Sequence, residues 1–287
     1  MASLKDLRKR IASVQNTRQI TKAMKMVASA KMRRAQESIL KARPYANGLD
    51  EVLRDLATRV SAEDHPLLAR RTPKKVELVV MTSDRGLCGA FNTNIIRHAE
   101  QFLFEKGPDF DRITISAIGR KGRDHFKRRT VDMHREYVGV FDKVQFSTAS
   151  EIADQLARDF VSNELDAIYL LYNEFKSVVQ QNLVLHRLLP ITIPEGTASV
   201  GLDYEYEPDK SAILDAILPK YLATDIYRAM LESAASEHGA RMSSMDNATK
   251  AAGDMISTLS LKYNKARQTA ITTELMEIVS GAEALKG

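Results

Sequence analysis

The sequence predicts an α/β protein in which a long antiparallel coiled coil of the N- and C-terminal helices accompanies a central α/β domain. Residues 1–43 and 220–287 contain no proline, and all eight prolines lie from Pro44 to Pro219. Proline interrupts helices, so the two proline-free ends are the places where long helices are expected. Apolar residues at both ends repeat at spacings of three and four, whereas the middle alternates between strand-like and helix-like patterns.

The apolar spacing at each end is typical of the seam between two helices that wind around each other. At ~1.5 Å per residue, the stretch 220–287 would extend roughly 100 Å, which is longer than a compact domain of this size requires. We therefore expect the two ends to pair as a rod. The seam residues are Leu4, Leu7, Ile11 and Val14 at one end, and Ile271, Leu275, Ile278, Ala282 and Leu285 at the other.

The central domain is predicted to contain a doubly wound, mostly parallel sheet, because strands and helices alternate along it. Residues 76–81 form an apolar run typical of a buried strand. Asn92 or Thr93 is expected to cap the helix that continues to about residue 106. Further strands are predicted at 113–118, 166–172 and, antiparallel, 177–189, with a short basic helix after residue 119 and another helix at 147–163.

Composition indicates an ordinary soluble protein, with 44% hydrophobic and 28% charged residues. No apolar run approaches the ~20 residues that cross a bilayer. The N-terminus lacks the apolar core of a secretory signal, and its helical pattern predicts mature structure. The single cysteine, Cys88, excludes an internal disulfide and is consistent with a reducing cytoplasm.

Positive charge is concentrated at the N-terminus. Residues 1–43 carry twelve Lys and Arg against only Asp6 and Glu37, whereas the whole chain has a net charge of +5. Such a helix could bind nucleic acid, an anionic membrane or an acidic protein partner, or it could present a solvated face. The scarcity of acidic residues for i,i+4 pairs favours a specific acidic partner.

A search for catalytic chemistry finds no candidate. The loop after the first strand contains GLCG, which does not fit a dinucleotide fingerprint, and no P-loop motif occurs. We interpret this loop as a structural turn and Cys88 as a small buried thiol. The six histidines form no HxH or HxxxH pair. The sequence therefore predicts no catalytic residue, no cofactor and no metal site.

Four segments carry a resemblance that covers the chain from end to end. They are residues 11–36, TSDRGLCGAFN at 82–92, YEYEPD at 204–209 and residues 237–285, which include ARQTAITTELMEIVSGAEAL. Together they resemble the γ subunit of bacterial F-type ATP synthases. The resemblance implies a coiled coil of both termini and a Rossmann-like domain that holds no nucleotide. It also implies a foot segment, so the expected divisions are a coiled-coil helix at 1–60, a linker at 61–74, the α/β domain at 75–200, the foot at 201–219 and the second coiled-coil helix at 220–287.

The resemblance implies a non-catalytic rotor. In that family one copy of the chain enters a hexamer of α and β subunits, and its base joins the ε subunit and the membrane ring of c subunits. Rotation transmits torque during ATP synthesis or hydrolysis and regulates ATPase activity and ion flow. We therefore expect a peripheral protein at the cytoplasmic face of the bacterial inner membrane. The alternative functions are a basic coiled-coil protein that binds nucleic acid and a small α/β enzyme with helical extensions.

The resemblance also assigns roles to individual residues. Arg267, Gln268, Met24 and Lys25 are expected to contact a β subunit, although coiled-coil packing is an equally good reading of Met24. Tyr204, Tyr206 and Glu207 are expected to contact the c-ring and ε. Pro219 is expected to kink or restart the last helix near the foot. The upper bearing, the end that runs inside the hexamer, is expected to consist of Arg8, Lys9, Arg10, Leu275, Ile278 and Leu285.

Overall fold

A computed structural model describes residues 3–57, 61, 63–129, 131–177, 181–192 and 210–284. It divides the chain into two compact units, one of Ser29–Arg241 and one of Met1–Ala28 with Met242–Gly287. Short 3₁₀ turns lie at Pro66–Leu68 and Gly107–Asp109. The main elements are α1 (Leu4–Ala57), β1 (Lys75–Met81), α2 (Phe91–Lys106), β2 (Arg112–Ile118), α3 (Arg120–Phe126), β3 (Met133–Tyr137), α4 (Phe146–Val161), β4 (Ala167–Phe175), β5 (Gln181–Leu189) and α5 (Lys210–Ala284).

The unit of residues 29–241 contains one five-stranded sheet in the order β3-β2-β1-β4-β5. The first four strands are parallel, and β5 pairs antiparallel with β4. This topology confirms the predicted α/β fold class. The edge strand β3 was not predicted, because its sequence MHREY is polar and its residues alternate between half-buried and exposed.

Both faces of the sheet are covered, which explains the continuous apolar run of β1. Leu78 and Val80 lie in a core with Ile95 and Ala99 of α2. Val79 and Met81 point to the other face. They join a larger core with Ile152, Leu156 and Phe160 of α4, Leu53 and Leu56 of α1, and Leu214, Leu218 and Leu222 of α5.

Two details at helix boundaries differ from the predictions. The N-cap of α2 is Ala90 with no side-chain cap, so the predicted capping by Asn92 or Thr93 is wrong. The Asn92 amide is instead engaged by the preceding loop. The last helix does not restart at Pro219, because α5 is one helix from Lys210 through that residue. A helix-interior proline costs ~3 kcal/mol, and the buried leucines around Pro219 offset this cost.

In the other unit, the start of α1 and the end of α5 form the predicted antiparallel pair. Arg8 bonds to Tyr263, Thr21 to Thr249 and Lys25 to Asp246, so the partners of successive α1 residues run backwards along α5. Leu7 is buried, and Leu4, Ile11 and Val14 are half-buried, which confirms the N-terminal seam. The facing row on α5, with buried or half-buried members spaced by four and three, is Met245, Thr249, Ala252, Ile256, Leu259, Tyr263 and Ala266, and half-buried Ala270 continues the same spacing.

Gly253 lies beside this seam but is not required by close packing. A Cβ at this position would meet only Arg18 Nε, at 3.9 Å, which is ordinary van der Waals contact. Among the described residues, no helix combines the length and the hydropathy needed to span a membrane.

Candidate functional site

The end of α5 extends beyond the start of α1 within the coiled-coil unit. Arg8 faces Tyr263 and Lys25 faces Asp246, and this register continued to Leu4 reaches Arg267. Residues 269–284, which we call the overhang, therefore continue as a single helix with no facing residue of α1. At ~1.5 Å per residue the overhang is roughly 24 Å long.

The overhang carries an exposed apolar stripe. Ile271, Leu275, Met276, Ile278 and Val279 are exposed by 49%, 57%, 60%, 68% and 54%. At ~100° per residue, Leu275, Met276 and Val279 lie on roughly the opposite side of α5 from the seam that contacts α1, and Ile271 and Ile278 lie on its flank. The seam row itself continues past Ala270 into polar residues: Thr273, Glu277 and Ser280.

The prediction that Ile271, Leu275, Ile278 and Ala282 form the seam with α1 is therefore wrong. Their 4-3 spacing marks an apolar face, but α1 starts at Leu4 and does not extend alongside this face. Large exposed apolar patches on soluble proteins mark interaction sites. The stripe consequently points to a partner that the described residues do not supply. Leu285, the last residue of the predicted row, lies outside the described residues.

A basic collar precedes the overhang. It consists of Arg8, Lys9 and Arg10, all exposed on the first turns of α1. Arg8 is fixed by Tyr263, to which its Nη2 donates at 2.7 Å while the guanidinium stacks 5.6 Å from the ring centroid. The structure therefore places the collar and the apolar stripe at the same end of the coiled-coil unit.

Arg267 and Gln268 are both exposed where α1 begins, next to the collar. Lys25 lies 17 residues after Arg8, or roughly 25 Å along α1. Its Nζ donates to Asp246 Oδ1 at 2.6 Å, which holds the pKa of that carboxyl below its usual range. Lys25 keeps 43% of its side chain exposed, and Met24 is half-buried. The four predicted β-contact residues thus fall at two separate levels of the coiled coil.

The predicted foot contacts cannot be placed. Tyr204, Tyr206 and Glu207 lie outside the described residues.

The loop after β1 accepts hydrogen bonds from the N-terminus of the short helix α3. The N-terminus of α3 would be the place for an anion, but its first backbone N–H groups already have acceptors. Gly119, the residue before α3, lies very close to the end of β1. A Cβ at this position would be 2.1 Å from Thr82 O. The acceptors are Asp84 Oδ1 for Arg120 N at 3.0 Å, Ser83 O for Lys121 N at 3.0 Å and Thr82 Oγ1 for Gly122 N at 2.7 Å.

Cys88 is buried, as the sequence predicted. Asn92 Nδ2 donates to its Sγ at 3.1 Å, and burial raises the pKa of the thiol. A neutral buried thiol is a poor nucleophile, because the thiolate is the reactive form.

One cluster has the residue types of a metal site. Glu77, His134 and Asp159 bring ligand atoms within 4.8 Å of one another. Each acid is already paired, since Glu77 accepts from Ser116 and His134 while Asp159 pairs with Arg135. The hydrogen bond to Glu77 raises the pKa of His134 and so favours the imidazolium. The cluster is therefore a charge-matched network beneath α4.

Comparison with known proteins decides the family. The profile of a family described as ATP synthase matches residues 3–285. The chain is 52% identical over 290 residues to the ATP synthase gamma chain of Anaeromyxobacter dehalogenans strain 2CP-1, with 100% of both chains covered. It is also 52% identical over 289 residues to that of Geobacter metallireducens, with the same full coverage. The chain belongs to the ATP synthase gamma chain family.

Solved structures of ATP synthases contain chains with the same fold. A chain of the central stalk and c-ring structure of Tetrahymena thermophila mitochondrial ATP synthase matches with a TM-score of 0.62 and 27% identity, over 80% of this chain and 99% of that one. A chain of Euglena gracilis mitochondrial ATP synthase matches with a TM-score of 0.72 and 22% identity, over 98% and 94%. As a gamma chain, the protein is a non-catalytic subunit of ATP synthase and a central-stalk rotor.

Sequence reasoning missed two features of this arrangement. Met276 and Val279 widen the apolar stripe, and the stripe could have been found by continuing the seam through Ala270 instead of Ile271. Arg241 of α5, which contacts the loop after β1, was also missed. The sequence feature that could have identified Arg241 is its i,i+4 spacing from Glu237 in a segment of mostly small residues, SAASEHGAR.

Proposed function

We propose that this chain transmits torque between a membrane ring of c subunits and a hexamer of α and β subunits. The observation that carries the proposal is the overhang, a single helix with an exposed apolar stripe beyond the paired region. A helix of this kind gains by entering an apolar sleeve. In the proposed upper bearing, the helix contacts the inside of the sleeve through Leu275, Ile278 and Leu285. The collar of Arg8, Lys9 and Arg10 faces the polar rim of the sleeve.

An apolar bearing suits rotation. Hydrophobic contacts are non-directional, so they hold the helix in place without fixing one angular position. Directional contacts are instead proposed for residues just before the overhang. Arg267 and Gln268 offer a planar guanidinium and an amide to polar groups of a β subunit.

Met24 and Lys25 form the second proposed level of β contact. Lys25 adds a cation to a helix that already carries an excess of basic residues. Its exposed ammonium can pair with an acidic segment of β while it shares Asp246. Each orientation of the chain then stabilises a different β conformation, which is the physical requirement for coupling.

The base of the rotor is proposed to contact the c-ring and the ε subunit through Tyr204, Tyr206 and Glu207. The central stalk and c-ring structure from Tetrahymena supports a rotor attached to a c-ring, and the bacterial relatives support a bacterial complex. One copy per complex would then lie at the cytoplasmic face of the inner membrane, peripherally and through the c-ring. In this position the chain regulates both ATPase activity and ion flow.

The functional divisions proposed from the sequence follow the same scheme. They are coiled-coil helices at 1–60 and 220–287, a linker at 61–74, the α/β domain at 75–200 and the foot at 201–219.

The proposal is tested by recovering the tagged chain from gently solubilised source membranes, followed by mass spectrometry and an ATPase assay. We expect α, β, ε and c subunits together with ATP turnover. Recovery of the chain alone, or of nucleic acid bound to the basic part of α1, would contradict the proposal. The second outcome would favour the nucleic-acid-binding alternative, which also predicts affinity that falls steeply with salt.

A further inference from the structure

Arg241 makes a concentrated set of contacts within the unit of residues 29–241. The side chain is buried, although arginine is seldom buried unless it is paired. Its Nη1 lies 2.6 Å from Glu237 Oε1 and 3.2 Å from His238 Nδ1. On its other side, Nη2 donates to Arg85 O at 3.0 Å and to Gly86 O at 3.1 Å, and Nε donates to Gly86 O at 3.3 Å.

Burial shifts the pKa values of both titratable groups that contact Arg241. Burial raises the pKa of Glu237, and the Arg241 guanidinium opposes this rise. Burial and the neighbouring Arg241 and Lys31 lower the pKa of His238 to about 4, so its ring is neutral near pH 7 and accepts a hydrogen bond. Arg241 and Glu237 form a close buried pair, with Nη1 2.6 Å from Oε1, which we call the clamp.

The loop that Arg241 contacts is also bonded to α2. Asn92 Oδ1 accepts from Ser83 N at 2.9 Å, and Asn92 Nδ2 donates to Cys88 Sγ. Cys88 and Phe91 pack against Ala240 of α5 in a small apolar cluster. A helix side chain thus holds a loop that is braced from inside the α/β domain.

Among the described residues, Arg241 makes three hydrogen bonds from α5 to the α/β domain, more than the single polar contacts of His186 with Asp225 at 2.8 Å and of Ser236 with Asn173 O at 3.2 Å. The large core around Leu218 and Leu222 is apolar, and apolar contacts resist separation more than sliding. Forked, charge-assisted hydrogen bonds to backbone carbonyls depend on direction and resist rotation of the helix about its own axis.

We propose that Arg241 is a positioning residue for torque transmission. Together with Glu237, it locks α5 to the loop of residues 83–88, so that rotation of the α/β domain is passed to the helix without slip. The proposal rests on the rotor function proposed above.

The test compares Arg241→Ala with wild type in complexes reconstituted into vesicles. Both ATP hydrolysis and ATP-driven proton uptake are measured per assembled complex. We expect proton uptake per ATP to fall by about twofold or more, because the forked, charge-assisted contacts are lost. Arg241→Lys retains the charge but not the paired N–H donors of the guanidinium. It should therefore recover only part of the wild-type proton uptake per ATP.

The matched control is Arg228→Ala. Arg228 Nε also pairs with a buried glutamate four residues away, Glu232 at 3.1 Å, but that pair stays on one helix. The control should retain the wild-type ratio. If Arg241→Ala prevents assembly, Glu237→Gln tests the same lock, because it removes the charge that orients the guanidinium while preserving shape.

Two failures are distinguishable. If wild-type complexes hydrolyse ATP without pumping, the proposed rotor function itself fails. If wild type pumps and Arg241→Ala, or Glu237→Gln in its place, lowers hydrolysis and pumping in proportion, or changes neither, the role of Arg241 is structural and the clamp proposal is overturned.

Discussion

The double substitution Leu275→Ala with Ile278→Ala separates what the overhang does in the chain from what it does in a complex. The two side chains are 57% and 68% exposed in the chain. Less than half of their apolar surface is therefore buried before assembly. Full burial of such a side chain contributes about 1.5–3 kcal/mol, and alanine is at least as good a helix former.

These values predict a small loss of stability in the isolated chain and a larger loss of association free energy in the complex. In the isolated chain, the substitutions should lower the free energy of unfolding by only about 1–2 kcal/mol, because less than half of each side chain is buried and alanine favours the helix. In an apolar sleeve, the remaining half to two thirds of each side chain becomes buried, so the pair should lose about 2–4 kcal/mol of association free energy. That loss corresponds to a dissociation constant raised roughly 30- to 700-fold.

The assays are denaturant unfolding of the isolated chain and titration of labelled chain into α and β subunits. Leu7→Ala is the matched control, because Leu7 is only 7% exposed in the α1 seam. It should destabilise the chain by about 2 kcal/mol or more. The reasoning is refuted if the double variant destabilises the chain as much as Leu7→Ala, or if it binds α and β with wild-type affinity.

Three further predictions follow from named contacts. Arg267→Ala combined with Gln268→Ala should lower torque and turnover but allow assembly, since about 1.5–3 kcal/mol of polar contact to β is lost; unchanged torque in single-complex rotation assays would remove this assignment. Lys25→Glu should lower proton uptake per ATP and cost the coiled coil up to about 1 kcal/mol; a wild-type ratio would indicate a packing role only. His134, whose folded pKa is raised by Glu77, should stabilise the fold fully below pH ~6.5 and lose this contribution as pH rises through the raised value. The free energies of unfolding of wild type and His134→Gln should therefore differ most at low pH. A difference that grows as pH rises would contradict the assignment.

Local pattern was sufficient for most of the fold. The run at 76–81 predicted β1 because a strand covered on both faces has no polar alternation. The spacing of Leu4, Leu7, Ile11 and Val14 predicted the α1 seam, because a side chain every three or four residues lies on one helix face. Strand β3 escaped detection because an edge strand buries only part of each residue.

Features that depend on a partner were harder to predict. The row from Ile271 has the same spacing as a seam, but spacing identifies a face without identifying what covers it. The position of the N-terminus of α1 decides that question, and only the register of Arg8 with Tyr263 reveals it. Asn92 has the composition of a helix cap, yet its amide is used by Ser83 and Cys88. Tertiary contacts of this kind leave no local pattern.

The most direct test of the rotor is to watch it turn. In a variant with Cys88→Ala, the 85%-exposed Phe104 of α2 is replaced by cysteine and labelled with a gold bead, while α and β subunits are fixed to a surface. The account predicts stepwise, unidirectional rotation of the bead that requires ATP. A bead that only fluctuates about one angle, in complexes that are hydrolysing ATP, would contradict it.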